Sequence, residues 1–183
     1  MFEIFCVFLS EHFFEIMAVV KSLWSDYKPF LIQKATDTSA KVSLAEWGLI
    51  VKSFPFKVLP DPKEPYKNDW HDEDGDDEYN VQMFYEAYEI TADFLMTADS
   101  PEEMVLSLRT FFNYIKNGEF KILDTYTGIG RQKVRYAGYS ESAYKWREGR
   151  ICYAQFSLRL KVNDPVTFIH NNSGVLEEVT DEE

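Results

Sequence analysis

Ten residues near the middle of the chain, Asp69-Trp70-His71-Asp72-Glu73-Asp74-Gly75-Asp76-Asp77-Glu78, carry seven carboxylates and no Lys or Arg. Oxygen donors packed this densely suit a hard cation, so metal binding is the first chemistry to test. A calcium-binding EF-hand loop needs oxygens at positions 1, 3 and 5, glycine at 6 and glutamate at 12. A register starting at Asp72 supplies Asp72, Asp74 and Asp76, but puts Asp77 at position 6 and Met83 at position 12. A register starting at Trp70 brings Gly75 to position 6 and leaves Trp70 and Val81 at positions 1 and 12. Both registers fail. The favoured reading is a solvated, self-repelling loop. The alternative is non-specific divalent cation binding, or a divalent-metal-binding protein or enzyme built on this loop.

The other candidate constellations also fall short. Thr127-Gly128-Ile129-Gly130-Arg131 opens like a phosphate cradle, but the dinucleotide fingerprint needs a third glycine where Lys133 stands, and no helix pattern follows. A turn between strands is the better reading. Arg131, Lys133 and Arg135 alternate on the next strand as one basic stripe, suited to an acidic neighbour or to a plain wet face. The three histidines, His12, His71 and His170, sit in the N-terminal stretch, the acidic loop and the tail. His71, among carboxylates, is expected to stay protonated and to make a poor general base. There is no G-x-S-x-G, no Cys-x-x-Cys and no His pair at helical spacing, so neither a nucleophilic triad nor a zinc site is assembled. Asn171-Asn172-Ser173 fits a glycosylation acceptor and is read as chance, because no secretory signal accompanies it. No catalytic, cofactor-binding or metal-binding residue is assigned, and the chain is read as non-enzymatic.

The 183 residues suffice for one domain with a substantial core, and 16% aromatic content argues against wholesale disorder. A net charge of −12 and a pI near 4.7 exclude nucleic-acid recognition through a basic face. Two cysteines, Cys6 and Cys152, make no disulfide framework. The seven acids of the loop and five in the tail (Glu177, Glu178, Asp181, Glu182, Glu183) equal the whole net charge. The remaining acids balance the 19 Lys and Arg. Residues 1–20 are apolar, but Glu3, Glu11 and Glu15 spoil a membrane span, and no signal-peptide pattern is present. Phe2, Phe5, Leu9, Phe13 and Ile16 fall near helical spacing, so residues 1–28 are read as an extension, helical or an artefact of start choice with Met17 as a second start.

From Pro29 the pattern is mostly β. PFLIQKA and WGLIVKSFPF read as strands around the turn-prone TDTSAKVS. Residues 58–79, with their prolines and acids, read as a long loop. Tyr88, Ile90, Ala92, Phe94 and Met96 alternate with polar residues, which predicts a half-buried strand. Ser100-Pro101-Glu102-Glu103 is a capping box followed by an apolar stripe (Met104, Leu108, Phe111, Ile115), and Asn117-Gly118 ends the helix. EFKILDTYT and RQKVRYAGYS read as strands. Cys152 to Val162 alternates without a fault, until Asn163-Asp164-Pro165 stops it. The tail beyond Asn171 reads as frayed, with 169–183 as an acidic flexible segment. The fold class is α+β: a mainly antiparallel β-sandwich or sheet with one helix packed across it.

In its order and spacing, FPFKVLPDP, DWHDEDGDDEY, YEITADFLM, SPEEMVLSLRTFFNYIKNGEF, KILDTYTGIGRQKVRYAGYS and FSLRLKVNDPVT, the chain resembles phage tail proteins. It is most similar to the N-terminal belt domain of distal tail (Dit) proteins of siphophages and prophages. Residues 29–167 carry the resemblance, and Asp164-Pro165 matches the D-P turn that ends the family's last strand. The resemblance makes 29–168 a tail-protein domain. It implies a virion structural protein of the baseplate, a homo-oligomer forming a hexameric ring at the virion tail tip after synthesis in the bacterial host cytoplasm. The implied partners are further copies of itself, the tail tube protein, the tail-associated hub protein and, in some members, a receptor-binding protein. Sequence-specific nucleic acid and membrane insertion are not implied. Tail tube and tail-completion proteins share much of the fold and are the alternative. The chain lacks the added C-terminal domain of larger members, so direct host adhesion is not expected. Acidic loops around a bore would keep passing DNA from sticking; solubility is the other reading of the same acids.

Overall fold

Eleven faultlessly alternating residues form β9 (Cys152–Val162), an inner strand of the main sheet, with Cys152, Ala154, Phe156, Leu158, Leu160 and Val162 all buried. The computed structural model describes residues 26–69, 76–79, 82–124, 131–146 and 152–179. Residues 1–25 of the N-terminal extension, with Cys6 and His12, and also His71 and the Gly128-Ile129-Gly130 turn lie outside them, whereas Tyr27 is buried and Lys28 bridges to Val51. Alongside β9 run β6 (Tyr88–Ala98), paired through an unbroken ladder from Tyr88–Val162 to Ala98–Cys152, and β8 (Arg131–Trp146). With β1 (Phe30–Lys34), β2 (Lys41–Val42), β3 (Leu49–Val51) and β7 (Glu119–Asp124) they form one seven-stranded sheet, ordered β2-β1-β7-β8-β9-β6-β3, with every neighbouring pair antiparallel. The expected α+β, largely antiparallel architecture is therefore the one that forms.

One face of the sheet is sealed by α2 (Pro101–Ile115), whose Met104, Leu108, Phe111 and Ile115 point inward. Ser100 caps it by accepting from the Glu103 N–H at 3.2 Å, while the Glu103 carboxylate reaches the Asp99 N–H at 3.4 Å. The second bond goes one residue earlier than in the standard box. Gly118, at φ 78°, follows the last turn. Beneath the helix lies an aromatic core. Phe94 stacks on Phe156 with centroids 5.6 Å apart, and Phe30, Phe54 and Phe111 approach Phe94 as edge or tilted pairs at 5.8, 5.9 and 6.3 Å.

Three readings need correction. A second helix, α1 (Ser43–Trp47), stands between β2 and β3, where turn and strand were expected. It is only five residues long, too short for a periodic stripe. It is held because Ser43 Oγ, fully buried, donates to the Leu49 carbonyl at 2.7 Å and accepts from the Phe30 N–H at 3.0 Å. The long loop contains a two-stranded ladder, β4 (Tyr66–Asp69) with β5 (Asp76–Tyr79), in register from Tyr66–Tyr79 to Asp69–Asp76. The tail is not frayed from Asn171: β10 (Phe168–Asn172) and β11 (Val175–Val179) form a hairpin. Its two-residue turn, Ser173 at φ 50° and Gly174 at φ 90°, has both central residues left-handed, as a tight hairpin turn demands.

Candidate functional site

The chemistry-bearing residues do not converge. His170 is exposed on β10, across from Glu177 in the hairpin register. Cys152 is buried, and burial, reinforced by the charges of Glu102, Asp99 and Glu103, pushes its thiol up and away from reactivity. Asp69, Asp76, Asp77 and Glu78 fall on β4 and β5, while Asp72, Glu73 and Asp74 lie outside the described residues. Among the described residues no group of three or more metal-ligating side chains comes together. A shallow groove along one flank of α2 is lined by Met104, Val105, Leu108, Arg109, Phe112 and Asn113, a mainly apolar surface with a single charge. No described helix is long and apolar enough to cross a membrane.

The strongly shifted groups hold the structure together. Tyr114, on α2, donates to Asp37 in the turn after β1, and the Lys34 N–H reaches Asp37 Oδ2 at 3.0 Å and the Tyr114 hydroxyl at 3.1 Å. Burial, then the bond to Asp37 and its charge, push the Tyr114 phenol far above its ordinary value. Burial alone would raise Asp37. The hydrogen bonds from Tyr114 and Lys34, with the charges of Lys41 and Lys34, outweigh it and hold the carboxyl low. This cluster pins the end of the helix to the sheet.

What remains open is surface. The sheet face away from α2 is covered at two places. At one, Tyr27, Leu44, Ile50 and Leu95 form a small second cluster. At the other, the β10–β11 hairpin buries Ile169 and Leu176 against Leu123. Leu176 is tied through both backbone groups: its N–H donates to Gln33 Oε1 at 2.6 Å and its carbonyl accepts from Lys121 Nζ at 2.8 Å. Glu178 lies between Lys133, at 3.1 Å, and Lys121, at 3.4 Å. The bond to Glu178 raises the Lys133 pKa. Burial would raise Glu178, but the bond and charge of Lys133 and the charge of Lys121 hold it low.

Between the two covered places the strands show a polar strip. The basic stripe read from sequence is split: Lys133 is engaged by Glu178 and Glu119, whereas Arg135 stands exposed opposite Lys161. Two register shifts interrupt β8, between Tyr136 and Gly138 and between Tyr139 and Glu141. Simple pairing would set Ala137 opposite Arg159; the first shift sets Gly138 there instead. A β-carbon at Gly138 would lie 2.6 Å from the Arg159 guanidinium, so the missing side chain is what lets Arg159 lie across the strand. Sequence periodicity could not find this arrangement. Gly138 inside a strand pattern was its one signal.

Two further features are unpartnered. Beyond Arg135, β8 pairs with β9 alone, so the strand's other edge has no ladder partner among the described strands through Trp146. An arm also leaves the body: residues 58–69 go out and residues 76–79 and 82–87 return, joined by the Pro62–Tyr85 bridge and by Lys63 N–H to Phe84 carbonyl at 2.7 Å. It carries Val58, Leu59, Met83 and Phe84, exposed by 74%, 75%, 57% and 60%. Large apolar side chains this exposed on one segment mark an interaction surface.

No protein-family model matches the chain, and no curated protein does. Among solved structures, the crystal structure of the Dit (gp 19.1) protein of phage SPP1 is similar, with a TM-score of 0.48 and 13% identity over 79% of this chain and 53% of that one. That structure is described as a paradigm of the hub adsorption apparatus in phages infecting Gram-positive bacteria. The chain thus spans about half the length of the solved protein it matches.

Proposed function

We propose that the chain is a structural subunit of a phage tail, a distal tail ring protein that joins the tail tube to the baseplate hub. The carrying observation is an antiparallel sheet sealed on one face by a capped helix, while an outer strip, a long strand edge and an apolar-studded arm are left uncovered by the described residues. A subunit of a closed ring must present two different surfaces that fit one another, and these features supply them without any pocket chemistry. The order of elements read from the sequence supports the same assignment. On this reading the ring has six copies, sits at the virion tail tip, binds the tail tube protein on one side and the tail-associated hub protein on the other, and can carry a receptor-binding protein.

The test is the mass and shape of the purified protein, alone and mixed with the tube and hub proteins encoded beside it. A closed six-membered ring that binds both is expected. A protein that stays monomeric at all concentrations and binds neither overturns the proposal. A ring that stacks on itself into a tube identifies a tail tube protein instead.

A further inference from the structure

Resting on the ring reading, we infer that the outer strip built by Arg135, Arg159 and Lys161 is the seat for the arm of the next copy. Three observations carry it. Arg159 lies over Gly138 at the first register shift of β8, and neither it nor Arg135 or Lys161 forms an ion pair with any described residue. An arginine laid out over a strand without a carboxylate is an arginine prepared for one from outside. The carboxylates of the face are not paired with these three cations among the described residues: Asp93 accepts from Ser157 at 2.6 Å, Glu119, across from Arg135, accepts from Asn163 at 2.8 Å and pairs with Lys133, and Glu89 lies across from Lys161 without an ion pair. The arm has the complementary character. Its ladder register places Asp69 across from Asp76 at the far end, with Asp77 next to it and Glu78 across from Lys67, and Val58, Leu59, Met83 and Phe84 lie along its base.

Charge complementarity then selects the occupant. The described part of the chain's other acidic segment is already committed, because β11 is pinned to its own sheet through Gln33, Lys121 and Lys133. The arm pairs its two strands with each other and leaves its apolar residues in water. Seated on a neighbour, it buries those residues while its acids meet three cations, and repetition of this head-to-tail contact closes a ring.

The experiment is a charge swap read by particle mass. One variant reverses the face (Arg135→Glu, Arg159→Glu, Lys161→Glu), and the other reverses the arm (Asp76→Lys, Asp77→Lys, Glu78→Lys). Each alone is expected to self-associate about tenfold more weakly than the wild type or worse. An equimolar mixture is expected to regain the ring, because each face then meets an arm of opposite sign and the copies alternate. A neutral face (Arg135→Gln, Arg159→Gln, Lys161→Gln), with an unchanged melting curve, guards against a folding defect and is expected to weaken assembly in the same direction. A wild type that forms rings while the face variants also do so overturns this inference and leaves the ring reading standing. A wild type that remains monomeric at all concentrations and binds neither the tube nor the hub protein overturns both.

Discussion

Two hairpins of this protein, both acidic and both overlooked by periodicity, end in opposite circumstances. The β10–β11 hairpin lies on the sheet; the arm that ends in β4 and β5 stands off it. Net charge does not separate them. Two buried side chains do, Ile169 and Leu176, together with the long-range bonds from Gln33 and Lys121 that satisfy the Leu176 backbone. The arm carries four large apolar residues, Val58, Leu59, Met83 and Phe84, that nothing among the described residues covers. A segment docks when its apolar residues find a complementary surface and its polar backbone finds partners there. An arm that fails the first condition within the monomer is shaped for another molecule.

The largest effect that would break this contrast is at Leu176. If the hairpin is part of the cooperative fold, Leu176→Ala costs about 2–4 kcal/mol in urea denaturation, as for other buried leucines. A cost near zero would mean that the hairpin opens independently and that the two segments are alike after all.

Much of the scaffold could be read before any coordinates. The β6 and β9 alternation and the Ser100-Pro101-Glu102-Glu103 cap depend on neighbours within a few residues, and both elements form where the pattern places them. What escaped depends on distant partners. Ser43 is an ordinary turn residue until Phe30 and Leu49 close around it. Leu176 is one apolar residue in a polar run until Gln33, 143 positions away, receives its N–H. The turn signal Asn172-Ser173-Gly174 was present, but composition outweighed it. For the candidate surface, the basic stripe was visible, yet its division was not. Which cation is satisfied depends on Glu178 and on a register shift in β8 that no local pattern announces.

Acid should act next most strongly, and on the docked hairpin first. Glu178 is held below its ordinary 4.5, so its contribution to docking is complete above that value and is lost as pH falls through the lowered one. Lys133, raised above 10.5, contributes fully below 10.5 and loses its contribution only as pH rises through the raised value. Hydrogen exchange between pH 7 and pH 3 is therefore expected to show β10 and β11 losing protection before β6 and β9. Simultaneous loss would show that the ion pairs contribute nothing local. Gly138→Ala comes third. The clash is with the far end of a flexible side chain, so Arg159 moves aside and stability falls by about 1 kcal/mol or less. If assembly is equally unaffected, the placement of Arg159 has no consequence for the neighbour.

The smallest expected effect is the most discriminating. Phe84 is 60% exposed in the arm, so Phe84→Ser removes little buried surface from the monomer and should leave its unfolding free energy in urea within about 0.5 kcal/mol of wild type. An aromatic residue that the monomer does not use can still be buried in a complex, where truncating it lowers affinity without touching the fold. The same variant should then weaken ring formation at a concentration where wild type is assembled. A large drop in monomer stability would place Phe84 in the core of its own chain, and the difference between the two hairpins would become one of degree.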